Sequence, residues 1–284
     1  NSGDGALNRR RIHVHEHGRR VGRSLSSTAM NVAKTVPTSV PAMFGRATFV
    51  CVVHLGLALV FLTGVLGAIC VYDVQTDEVV TNEGMRLDGK ALKLCTFKVG
   101  QTVRGRKIGE LFLKAAFRYG TENACEHIFI HADVEKHAYL VDLLFDFGFD
   151  DIGSYGADRV FVKQHPVNPP DSAGLSALEF VRRFYPHYQD GNQVQKFLVP
   201  IQQEFHRILF PDYQALQSQL FAPEGSVGNA IKLAYLSNSL SKLPRRGDVV
   251  LFYRSHDRKS ITTLGVIERY EWMGRPEEIE IGRA

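Results

Sequence analysis

The chain has 284 residues, 44% hydrophobic and 23% charged. That composition excludes a wholly disordered polymer, a collagen and a low-complexity chain, and the length leaves room for two modest domains. The formal net charge is +4, but residues 1–46 hold eight basic against two acidic side chains, so the excess charge belongs to the leader and says little about the folded part.

Residues 1–46 are rich in Arg, Ser, Gly and His and keep no sustained period of 2 or 3.6. They read as a basic, disordered leader. An Arg-rich, Ser-rich, acid-poor leader also resembles an organelle transit peptide. His13, His15 and His17 alternate, but no second ligand cluster accompanies them, which favours a solvated polar strand over a metal site. Residues 47–69 carry no formal charge and are long enough for a bilayer crossing of about 20 residues. Three readings stay open for the apolar segment 47–67. It is a transmembrane helix with the basic flank inside, a buried helix–strand segment, or a front end foreign to the domain that follows.

Cys51, Cys70, Cys95 and Cys125 form no CxxC pair, which removes a zinc ribbon and a thioredoxin-like motif. Cys70, Cys95 and Cys125 read as small core residues in a reducing compartment.

From residue 68 the pattern becomes that of a folded domain, expected over 68–165. Residues 68–74 read as a strand. In residues 91–99 the alternation puts Ala91, Lys93, Cys95, Phe97 and Val99 on one strand face. A basic loop, residues 100–107, leads into a helix opening at Ile108, with Leu111, Phe112, Ala115, Ala116 and Tyr119 on one side and Gly120 near its end. A strand over 127–133 follows. A second helix turns Ala138, Val141, Leu144 and Phe145 inward, and two strands surround Ser154, Tyr155 and Gly156. The unpaired amides of a helix start, with its positive dipole end, form an anion site. Arg104, Arg106 and Lys107 add charge, and Gly105 and Gly109 let a phosphate approach the backbone.

The order of these elements resembles the GNAT N-acetyltransferase superfamily over about residues 68–163. The family's loop motif is Gln/Arg-x-x-Gly-x-Gly/Ala. Here Arg104-Gly105-Arg106-Lys107-Ile108-Gly109 matches at its first and last positions and has Lys107 at the middle Gly, while Gly148-Phe149 matches a later Gly-Phe step. The resemblance implies acetyl-CoA as co-substrate. Its diphosphate would lie on the loop (Arg104, Gly105, Arg106, Lys107, Ile108, Gly109), and its pantetheine would pair like an extra strand along Phe97, Lys98 and Val99.

Two positions depart from the family. The Tyr that often serves as general acid is Leu144 here, with Tyr139 on a different helical face. An Asn frequent earlier in that helix falls near His137. The acid is therefore unassigned, and Glu83, His131 and Asp133 are the candidate bases. His127, His131 and Asp133 share a strand face, but thioester aminolysis needs no metal. The family's front end usually supplies a strand and two helices before residue 68, and no convincing version of it is visible in 1–66.

Residues 166–171, rich in proline, read as a linker. Over 172–284 we expect a helix capped by Ser172 or Ser176, a strand at 196–201, a helix from Gln203, a strand or helix at 228–236, and strands at 249–254 and 260–268. This half resembles the ASCH/PUA-like β-barrel group, with further strands usual beyond Glu268. The resemblance implies binding of RNA or a nucleoprotein. Lys232, Arg245, Arg246, Arg254, Arg258 and Lys259, with Tyr235 and Tyr253, would supply charge and stacking.

The expected fold class is thus α+β: a GNAT-like mixed sheet with flanking helices, plus a second, barrel-like domain. The expected function is acetyl-CoA-dependent N-acyl transfer to an amine acceptor, with a module that binds RNA. The alternative is a non-catalytic nucleic-acid-binding protein with a degenerate CoA domain. A cytoplasmic location follows from the co-substrate, and membrane association if the apolar segment is a true span.

Overall fold

The computed structural model describes residues 10–17, 48–52, 57–62, 65–172, 174–210, 230–237 and 241–272. The other leader residues and the chain beyond 272 lie outside them. Among the described residues twelve strands form two sheets.

The first sheet, of seven strands, has the order β2 (Thr48–Val52), β3 (Leu57–Leu62), β4 (Val65–Thr76), β5 (Lys90–Val99), β6 (His127–Ala132), β8 (Asp158–Gln164), β7 (Asp150–Tyr155). Its pairings are antiparallel except β5–β6. Helices α1 (Ile108–Glu122) and α2 (Ala138–Asp146) connect β5 to β6 and β6 to β7. Their apolar faces cover one side of the sheet, where Phe112, Leu113, Ala116, Phe117, Val141 and Leu144 pack with Leu92, Leu94, Ile128, Ile130 and Phe161. The mixed sheet with flanking helices is the expected α+β arrangement. On the opposite face Val80 and Leu87, from the segment between β4 and β5, pack on Ala91, Phe129, Val160 and Val162.

The described part of the apolar run 47–67, residues 48–52, 57–62 and 65–67, is strand and not helix. It forms β2, β3 and the start of β4, which add two antiparallel strands to the sheet edge. Among the described residues no helix is long and apolar enough to cross a membrane. The front end therefore supplies strands, and among the described residues no α-helix precedes α1.

The second sheet, of five strands, has the order β10 (Lys232–Ser237), β1 (Arg10–His17), β12 (Ser260–Trp272), β11 (Val249–Arg254), β9 (Lys196–Pro200). Here the leader reading is corrected. Arg10–His17, expected to be disordered, is an inner strand hydrogen-bonded to β10 and β12. Ile12 and Val14 alternate with polar residues there, a short period-2 signal that the surrounding charge obscures. The described strands form an open sheet with β10 and β9 at its edges; the expected closed barrel is not seen among them.

Helix α3 (Ala177–Phe184) packs on β8 of the first sheet and β12 of the second. Its start is a full capping box. Ser176 Oγ accepts from Glu179 N, and the Glu179 carboxylate accepts from Ser176 N, which satisfies two orphan amides. Helix α4 (Gln203–Leu209) follows β9 and buries His206 and Leu209.

The two halves share a core and a set of polar caps. Tyr185 and Ile231, from the C-terminal half, lie within the first sheet's apolar cluster. Arg182 of α3 donates from Nε (3.1 Å) and Nη2 (2.6 Å) to Phe145 O at the end of α2. Lys163 of β8, fully buried, donates to Arg182 O (2.8 Å) and Arg183 O (3.0 Å) at the end of α3. Each helix end is thus satisfied by a cation from the neighbouring element. Gly148 makes this approach possible. A Cβ there would lie 2.0 Å from Arg182 O, and its φ is +78°. The Gly-Phe step is where α3 crosses the first sheet.

Two predictions follow from this junction. Gly148→Ala should lower stability by about 3 kcal/mol or more, because backbone rather than a flexible side chain must move; the midpoint of urea unfolding reads the loss. The second concerns pH. Burial lowers Lys163 from 10.5 to about 7, helped by Arg182 and opposed by Asp150. Burial lowers His165 from 6.5 to about 4, helped by Lys163, and lowers His206 to about 4, helped by Arg254. The unfolded chain therefore binds more protons than the folded one from about 4 to 6.5 through the histidines. It does so again from about 7 to 10.5 through Lys163. Stability should rise with pH across both windows. Lys163→Met should abolish the upper rise and, by stranding two carbonyls, cost about 2 kcal/mol.

Candidate active site

The site is built where β5 and β6 part. Their parallel ladder holds only for Ala91–His127, Leu92–Ile128 and Lys93–Phe129. Beyond Lys93, β5 stays paired with β4 on one side, and its other edge has no β6 partner. At the same point β5 carries a bulge: Tyr72 pairs with Leu94 but Val71 with Thr96, so Cys95 is the extra residue. A bulge of this kind bends a strand and re-aims its side chains.

This bulge corrects the predicted strand face. Ala91 packs on the outer cluster, but Phe97 and Val99 join Leu92 and Leu94 on the helix side. The extra residue reverses the alternation, and Phe97 packs edge-on against Phe112 of α1, with centroids 5.5 Å apart. Phe97, Lys98 and Val99 thus offer backbone, not aromatic surface, to the cleft. Cys95 is also corrected. It is exposed, whereas Cys70 and Cys125 are buried.

The strand leads through a 3₁₀ turn (Gln101–Val103) into the basic loop. Val103 is fully buried and anchors the turn. Arg104, Gly105 and Arg106 are exposed, Lys107 is half-buried and Ile108 is buried in the core. Lys107 is the N-cap residue of α1, in the left-handed region at φ 55°, with no side-chain cap on the helix start. A glycine would hold that conformation more cheaply, which gives a physical reason for the glycine usual at this motif position. Gly105 also has a positive φ, 75°, and open space where its Cβ would be. Gly109 differs from the expectation. A Cβ there would meet Leu143 Cδ2 of α2 at 2.8 Å, so this glycine serves helix packing. The loop, the uncapped helix start and the free edge of β5 all lie at the carboxyl end of β5, the usual ligand side of a parallel pair.

The three candidate bases are now distinguished by their surroundings. Glu83 is exposed on the 77–89 segment beside Gly153 of β7. Asp133 is occupied. It accepts from Lys136 Nζ at 2.6 Å and from the amides of Glu135 and Lys136. His131 lies at the end of β6, stacked on Tyr155 with centroids 5.0 Å apart and planes 21° from parallel. Its Nε2 is buried and makes no hydrogen bond among the described residues. Burial, helped by Lys93 and opposed by Asp158 and Glu78, lowers its pKa from 6.5. The imidazole is therefore neutral at physiological pH. Asp133 is drawn away from His127 and His131, and the three do not converge.

No acid emerges from α2. Leu144 is fully buried, Tyr139 is 88% exposed and His137 is an exposed N-cap. The Cys95 bulge and the Tyr155–His131 stack were not foreseen. Neither leaves a sequence signal, since both depend on strand register.

The second-sheet candidates for nucleic-acid contact separate as well. Arg254 is buried and ion-paired to Asp257. Lys232 pairs with Glu268 at 3.2 Å, and Tyr235 packs edge-on against Phe252. Arg245 and Arg246 are exposed before β11, and Arg258 and Lys259 are exposed after it. The six-residue strand between them spans roughly 17–20 Å, so they form no single patch.

Among solved structures the chain is similar, over part of its length, to a number of proteins, among them these three. The PH1933 protein of Pyrococcus horikoshii OT3 is 20% identical over 38% of this chain and 64% of its own, with a TM-score of 0.31. The PaiA N-acetyltransferase of Thermoplasma acidophilum in complex with coenzyme A is 12% identical over 38% and 60%, TM-score 0.31. A GNAT-family acetyltransferase of Streptococcus pneumoniae is 15% identical over 40% and 68%, TM-score 0.31. The chain covers less than two thirds of the first two. Neither a protein-family model nor a curated protein matches the sequence.

The bulge gives a direct test. In the native protein an alkylating reagent should modify Cys95 while Cys70 and Cys125 stay protected until unfolding. Peptide mass mapping reads the sites. Reaction should be slow at neutral pH, because partial desolvation of the exposed Cys95 thiol raises its pKa, opposed by Lys93 and helped by Asp73.

Proposed function

We propose that the chain is an acetyl-CoA-dependent N-acyltransferase. The observation that carries this reading is the parting of β5 from β6 after three pairs, beside a basic loop and an uncapped helix start. The free edge of β5 suits the pantetheine amides, which would pair along residues 97–99 as an added strand. The diphosphate would lie on the loop from Arg104 to Gly109, held by the amides at the start of α1 and by the cations of Arg104 and Lys107.

His131 acts as the base. Its Nε2 is buried beside the Tyr155 ring, so that stack opens to admit the acceptor. Nε2 then takes a proton from the amine, directly or through one water, as the amine nitrogen bonds to the thioester carbon. The carbon–sulfur bond then breaks and the thiolate is protonated from solvent. Positioning supplies the rest of the rate.

For the acceptor we propose an RNA or nucleoprotein held by the second sheet. Support comes from an open cleft of about 650 Å³ lined by Pro244, Arg245, Arg246, Glu268, Arg269 and Tyr270. It combines guanidinium groups with an aromatic ring.

Acetyl-CoA should raise the melting temperature of the full chain. Replacing Arg104 by Ala should sharply weaken the binding measured by calorimetry. His131→Gln should lower kcat by about 10²–10⁴-fold and remove the acid limb of the kcat/KM profile. In the parent protein that limb lies below the ordinary imidazole range, because burial lowers His131. Absence of any thermal shift with saturating acetyl-CoA would defeat the reading.

A further inference from the structure

Glu110 stands in the first turn of α1 and is only 7% exposed. Its carboxylate has partners in both halves of the protein. Oε2 accepts from the amides of Ile231 (2.8 Å) and Lys232 (3.3 Å), 121 and 122 residues away. Oε1 lies 3.4 Å from Lys107 Nζ. Ile231 is fully buried in the first sheet's core, and Lys232 opens β10. Among the described residues β10 is an edge of the second sheet, with β1 as its one strand neighbour. One carboxylate therefore ties the start of that edge strand to the N-cap residue of the helix that begins the anion loop.

We propose that Glu110 is a competitive joint: β10 docked on α1 and a diphosphate on the loop draw on the same ammonium, Lys107. The idea rests on the coenzyme reading above. An ion pair needs its partners within about 4 Å, and Lys107 sits at the loop's last turn before α1. A diphosphate there draws the ammonium toward itself. Glu110 is then left with two amides, beside a new anion, in a position almost closed to water. A buried carboxylate that loses its cation is costly, and the cheapest relief is to release the amides of Ile231 and Lys232. Loading the coenzyme thus loosens β10. By linkage, docked β10 lowers coenzyme affinity by the same factor. The second sheet becomes a brake on the first, released by whatever draws β10 away.

Hydrogen exchange on the full chain, read at Ile231 and Lys232, tests the joint without coenzyme. Glu110→Ala and the milder Lys107→Met should both speed exchange at these two amides. Exchange unchanged in both variants would remove the joint, whatever the coenzyme does. Adding acetyl-CoA tests the competition. In the parent protein saturation should speed exchange at the same amides. Glu110→Gln, which makes no claim on the Lys107 charge, should bind acetyl-CoA about fivefold more tightly or better, and its exchange should no longer respond. Slower or unchanged exchange in the saturated parent, or weaker binding by Glu110→Gln, would overturn the competition. No binding heat in the parent would overturn it together with the coenzyme reading, while the coenzyme-free exchange still decides the joint.

Discussion

A backbone amide or carbonyl that leaves a ladder must find another partner. That requirement governs the first sheet. Strands β5 and β6 begin as a parallel pair and part after three residues. From Leu94 to Val99, β5 keeps β4 on one side only. The bulge at Cys95 bends the strand away and turns Phe97 and Val99 into the core. The core closes behind the cleft while the strand edge stays open, and the next turn of chain delivers three cations and a helix start to the same end.

The second constraint is the junction. The halves are not beads on a linker. Tyr185 and Ile231 complete the first sheet's core, Lys163 caps α3, Arg182 caps α2, and Gly148 removes the side chain that would keep them apart. Arg182 reaches Phe145 O from the exposed side of α3, while the Lys163 contact places an ionisable group and two backbone carbonyls in a buried setting. Such groups are satisfied together or not at all. Glu110 belongs to the same system, so the start of α1 is held partly by residues from the far end of the chain.

Much of this was legible. The strand at β11 and the loop before Ile108 follow from periodicity and turn chemistry, and Ser176 is one of the two caps the sequence offers. The face of α1 is legible in part, since Phe112 and Ala116 are buried but so are Leu113 and Phe117, which the predicted face omits. What escaped had non-local causes. Alternation in β5 read Ala91 to Val99 as one face, because a single extra residue leaves no mark in composition. The span 47–69 read as a possible membrane helix because hydropathy does not distinguish three apolar strands from one long helix. Arg254 and Lys232 read as free charge, since sequence alone does not show Asp257 and Glu268 beside them. His131 was one of three equal candidates, and only its neighbours separate it from Asp133 and Glu83.

The second sheet is discontinuous in the chain. Residues 10–17 supply β1, residues 48–164 build the other sheet, and the strands flanking β1 come only after residue 232. During synthesis β1 therefore leaves the ribosome first and finds its neighbours last. At about 5–20 residues per second, it waits on the order of ten to forty seconds while an entire unit folds between it and them. Its paired arginines and alternating histidines keep such an orphan strand soluble in the meantime, where a purely apolar segment would invite premature pairing with another chain.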